Sequence, residues 1–156
     1  MAGNPNTPRI IAAILGVIFF ALVGAFVMMA MVSRDEVRMN AIGPLGKAPG
    51  VERGGVRFAG TLHVWEVSGS IGIDQHGHAH LSADFRGPSA QPPNPDFPLS
   101  AAFIRPDSDA EPIPAAMRRV GRGSYRGSAA LPGDGPWLLR LTVPEVTGVL
   151  AFTADP

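Results

Sequence analysis

The sequence contains no cysteine, few aromatic residues and no excess of charge of either sign. Without cysteine there are no disulfides, no thiolate metal sites and no thiol nucleophile. Thirteen basic residues balance thirteen acidic ones, whereas nucleic-acid-binding proteins carry a basic excess. A phosphate-binding glycine loop in the required context and a nucleophile-elbow serine are also missing. We therefore predict a protein that is not an enzyme and that binds no nucleic acid.

Polar and charged side chains are absent from residues 10–32. As a helix this run is roughly 35 Å long, which is enough to cross the ~30 Å hydrocarbon core of a bilayer. A cleaved signal peptide has a shorter apolar region and ends in small residues, but Met28, Met29 and Met31 stand at this end. We predict a tail over residues 1–9 and an uncleaved single-pass transmembrane helix over residues 10–32. The flanking charges leave its orientation open.

Glycine and proline punctuate residues 33–55, and this composition predicts a linker that does not fold alone. From residue 56 to residue 156 short runs alternate between apolar and polar residues, most clearly over residues 78–86, and turn signals separate them. This pattern predicts a β-sandwich. Its strands are predicted over residues 61–67, 78–86, 99–104, 113–120, 124–131, 136–143 and 149–153.

The large apolar residues of these runs predict the core of the sandwich. Trp137 is the largest, and we expect its indole N–H to find a hydrogen-bond acceptor. The predicted core members are Leu81, Phe85, Phe103, Met117, Tyr125, Leu131, Trp137, Leu139 and Leu141.

Three histidines, His76, His78 and His80, stand at alternate positions. On a strand their imidazoles share one face at a spacing of about 6.5–7 Å, and a bend at Gly77 would let neighbours share a metal ion. Imidazole ligands suit copper and zinc. The alternative is a solvated polar face of an edge strand, which needs no cofactor, and the sequence leaves both open. A further ligand would come from Asp74, Asp84 or His63.

A basic cluster lies around the glycines at 121 and 123. It consists of Arg118, Arg119, Arg122 and Arg126. An acidic run, 107–111, precedes it, and a hairpin around residues 121–123 would bring the two near each other. Exposed ion pairs of this kind contribute little to stability. The alternative role of the arginines is contact with a membrane protein or with lipid headgroups.

Three segments of the C-terminal half carry a resemblance to a known family. They are Phe103-Ile104-Arg105-Pro106, Arg119-Val120-Gly121-Arg122-Gly123-Ser124-Tyr125-Arg126-Gly127, and the run from Leu131-Pro132-Gly133 through Trp137 to Leu141. In this order they resemble the FixH (CcoH) family, over about sixty residues. Its members have one N-terminal membrane helix and a small periplasmic immunoglobulin-like domain.

The resemblance implies a non-enzymatic accessory protein of the bacterial inner membrane, single-pass, with a periplasmic C-terminal domain. Its role would be the assembly or stability of a cbb-type haem–copper cytochrome oxidase, alongside a copper-transporting ATPase. The implied partners are an integral membrane complex and the lipid bilayer, and no catalytic residue carries over. Two alternatives remain: a permanent subunit of another respiratory or photosynthetic complex, and a periplasmic metal-binding module that uses the histidine run.

Overall fold

The computed structural model of the protein describes residues 14–25 and 36–155. The chain divides into two units, Met1–Arg34 and Asp35–Pro156. In the first unit residues 14–25 are helical. Within the two described ranges, no helix combines the length and the apolar character that a membrane crossing requires. The predicted tail, 1–9, and the rest of the predicted span, 10–13 and 26–32, lie outside the described residues.

The second unit is built from strands arranged in two sheets, which confirms the predicted β-sandwich. One sheet has five strands in the order β1-β11-β10-β6-β7, and the other has six in the order β2-β3-β4-β5-β9-β8. The pairs are antiparallel except for β1 and β11, which run parallel. The strands are β1 Glu36–Arg38, β2 Asn40–Leu45, β3 Gly55–Leu62, β4 Trp65–Ile73, β5 His78–Arg86, β6 Ser100–Ile104, β7 Ile113–Ala115, β8 Arg118–Arg119, β9 Ser124–Ala130, β10 Gly135–Val143 and β11 Val146–Ala154.

The core lies between the two sheets and is lined by alternate residues of each strand, as expected for one-sided burial. The alternation is clearest in β5, where Ala79, Leu81, Ala83 and Phe85 are buried and the residues between them face outward. Eight of the nine predicted core residues are buried, whereas Met117 is only partly buried against the core. The indole N–H of Trp137 donates to the carbonyl of Gly133 at 3.3 Å, which confirms the expected partner.

The predicted linker, 33–55, differs from the structure, because strands β1 and β2 occupy part of it. Met39 between them is buried, and its N–H donates to the carbonyl of Val149 at 2.9 Å. β2 pairs with β3 through a bulge at Ala41 and Gly43, and Gly43 has a φ of 156°. The pairing of both strands rests on backbone hydrogen bonds to neighbours, so glycine and proline do not prevent it.

Two of the predicted strands each fall on parts of two strands in the structure. Residues 61–67 contain the turn between β3 and β4, where His63 takes a φ of 56°. Residues 113–120 form two short strands in different sheets, because the chain crosses from β7 beside β6 to β8 beside β9. The turn reverses the alternation, since Leu62 and Val67 are buried whereas Val64 is exposed, but the crossing between β7 and β8 keeps it, so the sequence pattern does not reveal the crossing.

Candidate functional site

The histidine run surrounds the side chain of Asp74. Asp74 Oδ1 accepts the backbone N–H groups of His76 at 2.8 Å and of His78 at 2.9 Å. Its other oxygen lies 3.3 Å from Nδ1 of His78 and 3.1 Å from Nε2 of His80. The turn is completed by Gly77, whose φ of 80° lies in the region that glycine enters most easily. Both carboxylate oxygens of Asp74 are therefore engaged, and we call this group the Asp74 cluster.

The charge of Asp74 is stabilised by its neighbours. Burial raises the pKa of its carboxyl, but the N–H groups of His78 and His76 and the two imidazoles outweigh this effect. The net result is a pKa well below the ordinary aspartate value. The carboxylate therefore stays charged at neutral pH and fixes the start of strand β5.

The three predicted metal ligands are only partly brought together. His78 and His80 share Asp74, whereas His76 lies in the preceding turn with its ring centroid 6.4 Å from that of His78. Within the described part of the chain, no group of three or more His, Cys, Asp or Glu side chains is arranged to hold a metal ion. The other predicted ligands lie elsewhere, because His63 pairs with Glu145 at 3.0 Å and Asp84 accepts a hydrogen bond from Ser124.

Strand β5 has a neighbour on both sides, β4 and β9, so the histidines do not lie on an edge strand. This part of the solvated-face interpretation is wrong, although His76, His78 and His80 are exposed as that interpretation expects. Their exposure follows from the outward positions of β5 and from the turn before it.

The predicted hairpin around residues 121–123 is present and is formed by β8 and β9. Arg118 and Arg126 are direct cross-strand partners and are exposed, so their guanidinium groups extend from the same face. Arg119 faces the other way, where its Nε donates to the carbonyl of Gly121 at 3.0 Å and its Nη2 to that of Pro93 at 3.4 Å. Arg122 is exposed in the turn. The four predicted contact residues thus divide into one outward pair, one residue that braces loops and one turn residue.

The acidic run, 107–111, is exposed, and within the described ranges 14–25 and 36–155 it does not pair with these arginines. Arginine–carboxylate ion pairs in these ranges join Arg53 with Asp134 and Arg140 with Glu36. Arg119 instead lies near Tyr125. Burial raises the pKa of the Tyr125 hydroxyl, and the positive charge of Arg119 offsets part of that rise.

Arg105 has a structural role that the sequence did not reveal. Its Nη1 donates to the carbonyl of Pro132 at 3.0 Å and its Nη2 to that of Asp134 at 2.6 Å, while its guanidinium lies 5.2 Å from the centre of the Trp137 ring. A cation over an aromatic face and two charged hydrogen bonds fix the turn before β10. The Arg-Pro and Pro-Gly-x-Gly-x-Trp segments therefore form one packed unit.

The outer face of the five-stranded sheet carries a second feature that sequence reasoning missed. Leu138 stands opposite Ile104 on one side and Ala151 on the other, and Ala102 and Val149 flank the next outward position of β10. Leu138, Ile104, Ala102 and Val149 are half-buried, and Ala151 is exposed. We call these five residues the apolar band. The sequence does contain a signal for the apolar band, because the strands β6, β10 and β11 have apolar residues on both faces.

Arg38 of β1 stands opposite Val149 at the side of the apolar band, and a second charged side chain, Arg140, lies beside the band. It occupies the position between Ala102 and Val149, and its Nη2 lies 3.0 Å from Oε1 of Glu36 in β1. Thr142 and Thr147 form the next row, with their hydroxyl oxygens 3.3 Å apart. The charge of Arg140 is thus compensated within the same sheet.

No family model and no curated protein matches the chain. Among solved structures, the chain is similar to the filamin domain of Lin-41, with 17% identity and a TM-score of 0.40, over 56% of this chain and 89% of that one. The strand pairing within the chain itself defines the two sheets of the sandwich.

Proposed function

We propose that the protein is a membrane-anchored, non-enzymatic accessory protein whose β-sandwich binds a subunit of an integral membrane complex. Anchoring is supported by the uncharged run over residues 10–32 and by the helix over residues 14–25. In that helix the large apolar side chains, from Ile14 to Val23, are exposed, with accessible fractions of 43–76%. A helix that is apolar on all sides needs an apolar environment, and a bilayer supplies one.

The apolar band is the observation that carries the binding proposal. Protein interfaces have a centre that is depleted of charge and enriched in apolar contact area, with polar residues around it. The band has this composition, since its five residues are uncharged, Arg140 beside it is paired with Glu36, Arg38 lies at its edge opposite Val149, and its next row consists of threonines. We place the centre of the partner contact at Leu138.

The resemblance to FixH supports the identity of the partner. On this proposal the sandwich is immunoglobulin-like, lies in the periplasm of a bacterium and contacts a cbb-type cytochrome oxidase during its assembly. Two of the three segments that carry the resemblance meet in the packed unit of Arg105 and Trp137, and the same two segments contribute Ile104 and Leu138 to the apolar band. They therefore support a shared domain type, and the choice of complex depends on the family resemblance alone.

Affinity capture from native membranes tests the proposed function. The tagged full-length protein is expressed in its own host, solubilised in a mild uncharged detergent and purified, and its partners are identified and quantified by mass spectrometry. Oxidase subunits or a copper-transporting ATPase at less than one copy per protein support an assembly factor. A different complex at constant one-to-one stoichiometry contradicts it in favour of a permanent subunit.

A pair of variants tests the apolar band in the same capture. Ala151→Arg places a long charged side chain in the band at an exposed position, where the core is not disturbed. We expect this variant to lose the partner. Ser68→Arg makes the same change in size and charge at an exposed position of the other sheet and is expected to retain it. Equal recovery from both variants would contradict the placement of the interface.

A further inference from the structure

The two predicted site groups, the histidine run and the arginine cluster, meet on the outer face of the six-stranded sheet. In the pairing of β5 with β9, His80 stands opposite Ser128 and Ser82 stands opposite Arg126. In the pairing of β8 with β9, Arg126 stands opposite Arg118. Four outward side chains from three adjacent strands, those of His80, Ser128, Arg126 and Arg118, therefore surround one small area.

This area is a cleft. It has a volume of about 380 Å³ and is lined by these four side chains together with Leu81 and Gly127. Serine, arginine and histidine provide hydrogen-bond donors, and the residues that line the cleft include no carboxylate. Two carboxylates lie near the cleft on this face. Asp74 contacts Nε2 of His80 and is itself held by backbone N–H groups, and Asp84, two residues from the partner of Arg126, accepts a hydrogen bond from Ser124.

The facing arginines are the unusual element of the cleft. Like charges directly opposite each other on two strands destabilise a sheet. In the described part of the chain, the arginines that form ion pairs with carboxylates are Arg53 and Arg140, which lie elsewhere. A bound anion would turn this repulsion into two attractions. The guanidinium group suits oxyanions, because its planar fork forms two parallel hydrogen bonds to a phosphate or a carboxylate.

We propose that this cleft binds a phosphate group, held between Arg118 and Arg126, with Ser128 and His80 as additional donors. Two full positive charges match the charge of a phosphate monoester or of inorganic phosphate better than that of a single carboxylate. The phosphate has two sources, the free ion and a phospholipid headgroup; both present phosphate oxygens to the guanidinium groups, and the headgroup diester carries one negative charge. The cleft and the apolar band lie on different sheets. The phosphate proposal therefore does not depend on the proposed partner complex.

The test uses the isotope-labelled full-length protein in an uncharged detergent. Inorganic phosphate is titrated, and the amide and arginine Nε resonances of β8 and β9 are followed by NMR, with chloride at matched ionic strength as the control. We expect saturable shifts with phosphate and none with chloride. Arg118→Gln and Arg126→Gln are expected to weaken binding roughly tenfold or more, the effect of about one charge-assisted hydrogen bond.

Two further variants separate a built site from general charge. Arg57→Gln removes an exposed arginine from the same face outside the cleft, so affinity should not change. Arg126→Lys keeps the charge but loses the fork and should bind with intermediate affinity. Far-UV circular dichroism checks that each variant is folded. Absence of saturation, equal shifts with chloride, or an equal loss in Arg57→Gln would overturn the proposal.

A second arm assigns the source of the phosphate. The protein is placed in nanodiscs of phosphatidylcholine with and without phosphatidylglycerol, and the same resonances are compared. Shifts that appear with the anionic lipid and are lost in Arg126→Gln support a headgroup. Shifts that appear only with added inorganic phosphate support the free ion.

Discussion

Replacement of Asp74 separates the hydrogen-bonding role of this side chain from its charge. Asp74→Ala removes the acceptor of two backbone N–H groups, those of His76 and His78. Asp74→Asn keeps an oxygen for those two groups but removes the negative charge that the imidazoles of His78 and His80 contact. The two variants therefore isolate different parts of the Asp74 cluster.

The expected magnitudes follow from the contacts. A hydrogen bond to a charged acceptor contributes about 1.5–3 kcal/mol when it is shielded, and the Asp74 side chain is only 15% exposed. In Asp74→Ala the two amides of the turn form hydrogen bonds to water instead, which offsets part of the lost free energy. We therefore expect the free energy of unfolding to fall by about 2–3 kcal/mol. Asp74→Asn keeps two neutral hydrogen bonds and should lose about 1 kcal/mol.

The same charge makes stability depend on pH. The pKa of Asp74 is lower in the folded protein than in the unfolded chain. Its contribution is therefore complete above the unfolded value of about 3.9 and is lost as the pH falls below it through the folded pKa. The asparagine variant has no such contribution, so the stability difference between wild type and variant should shrink as the pH falls from 7 toward 3.

The assay is urea unfolding of the full-length protein in uncharged detergent, followed by far-UV circular dichroism at pH 7, 5 and 3. Using the difference between wild type and variant cancels the contributions of other carboxylates. A loss below about 0.5 kcal/mol in Asp74→Ala, or a difference between wild type and Asp74→Asn that stays constant over this pH range, would refute the reasoning.

Three further predictions concern the core and the histidine run. Trp137→Phe loses the hydrogen bond to Gly133, part of the contact with Arg105 and some buried area. We expect the free energy of unfolding, measured by chemical denaturation, to fall by about 2–3 kcal/mol. A fall below about 1 kcal/mol would contradict the packing described. Gly69→Ala would bring a Cβ atom within 2.1 Å of the carbonyl oxygen of Ser82, so we expect little folded protein in a thermal melt. A melting temperature near that of wild type would contradict this close approach of β4 to β5. Copper(II) titrated into the full chain should bind wild type and the His78→Ala, His80→Ala double variant with similar affinity, because the described residues hold no group of three or more ligands arranged around one metal position. A tenfold weaker affinity in the double variant would support the metal hypothesis.

The sequence predicted the sandwich because most strands show alternation. β5 and β9 have small or polar residues outward and apolar residues inward, and a period of two identifies such strands directly. β1 and β2 were missed because their order comes from pairing with β11 and β3, which a local pattern does not contain. The crossing between β7 and β8 was missed for the same reason, since it changes the sheet and not the alternation.

The candidate site was predictable to a similar extent. The facing of Arg118 and Arg126 follows from the hairpin that glycines 121 and 123 predict, and Asp74 was among the residues considered beside the histidines. Neither pattern indicates that His80 and Arg126 share a cleft, because this depends on β5 and β9 being neighbours although residues 87–123 lie between them in the chain. The apolar band depends in the same way on β6 and β11 flanking β10.

Photocrosslinking in native membranes tests most directly whether the five-stranded sheet binds a partner. A benzoylphenylalanine is introduced at Ala151, beside Leu138, and in a second protein at Ser68, which is exposed on the other sheet. Irradiation should join the protein with the probe at Ala151 to one defined membrane subunit, while the protein with the probe at Ser68 gives no such product. Equal products from both positions, or a product from Ser68 alone, would contradict the assignment of this face as the interface.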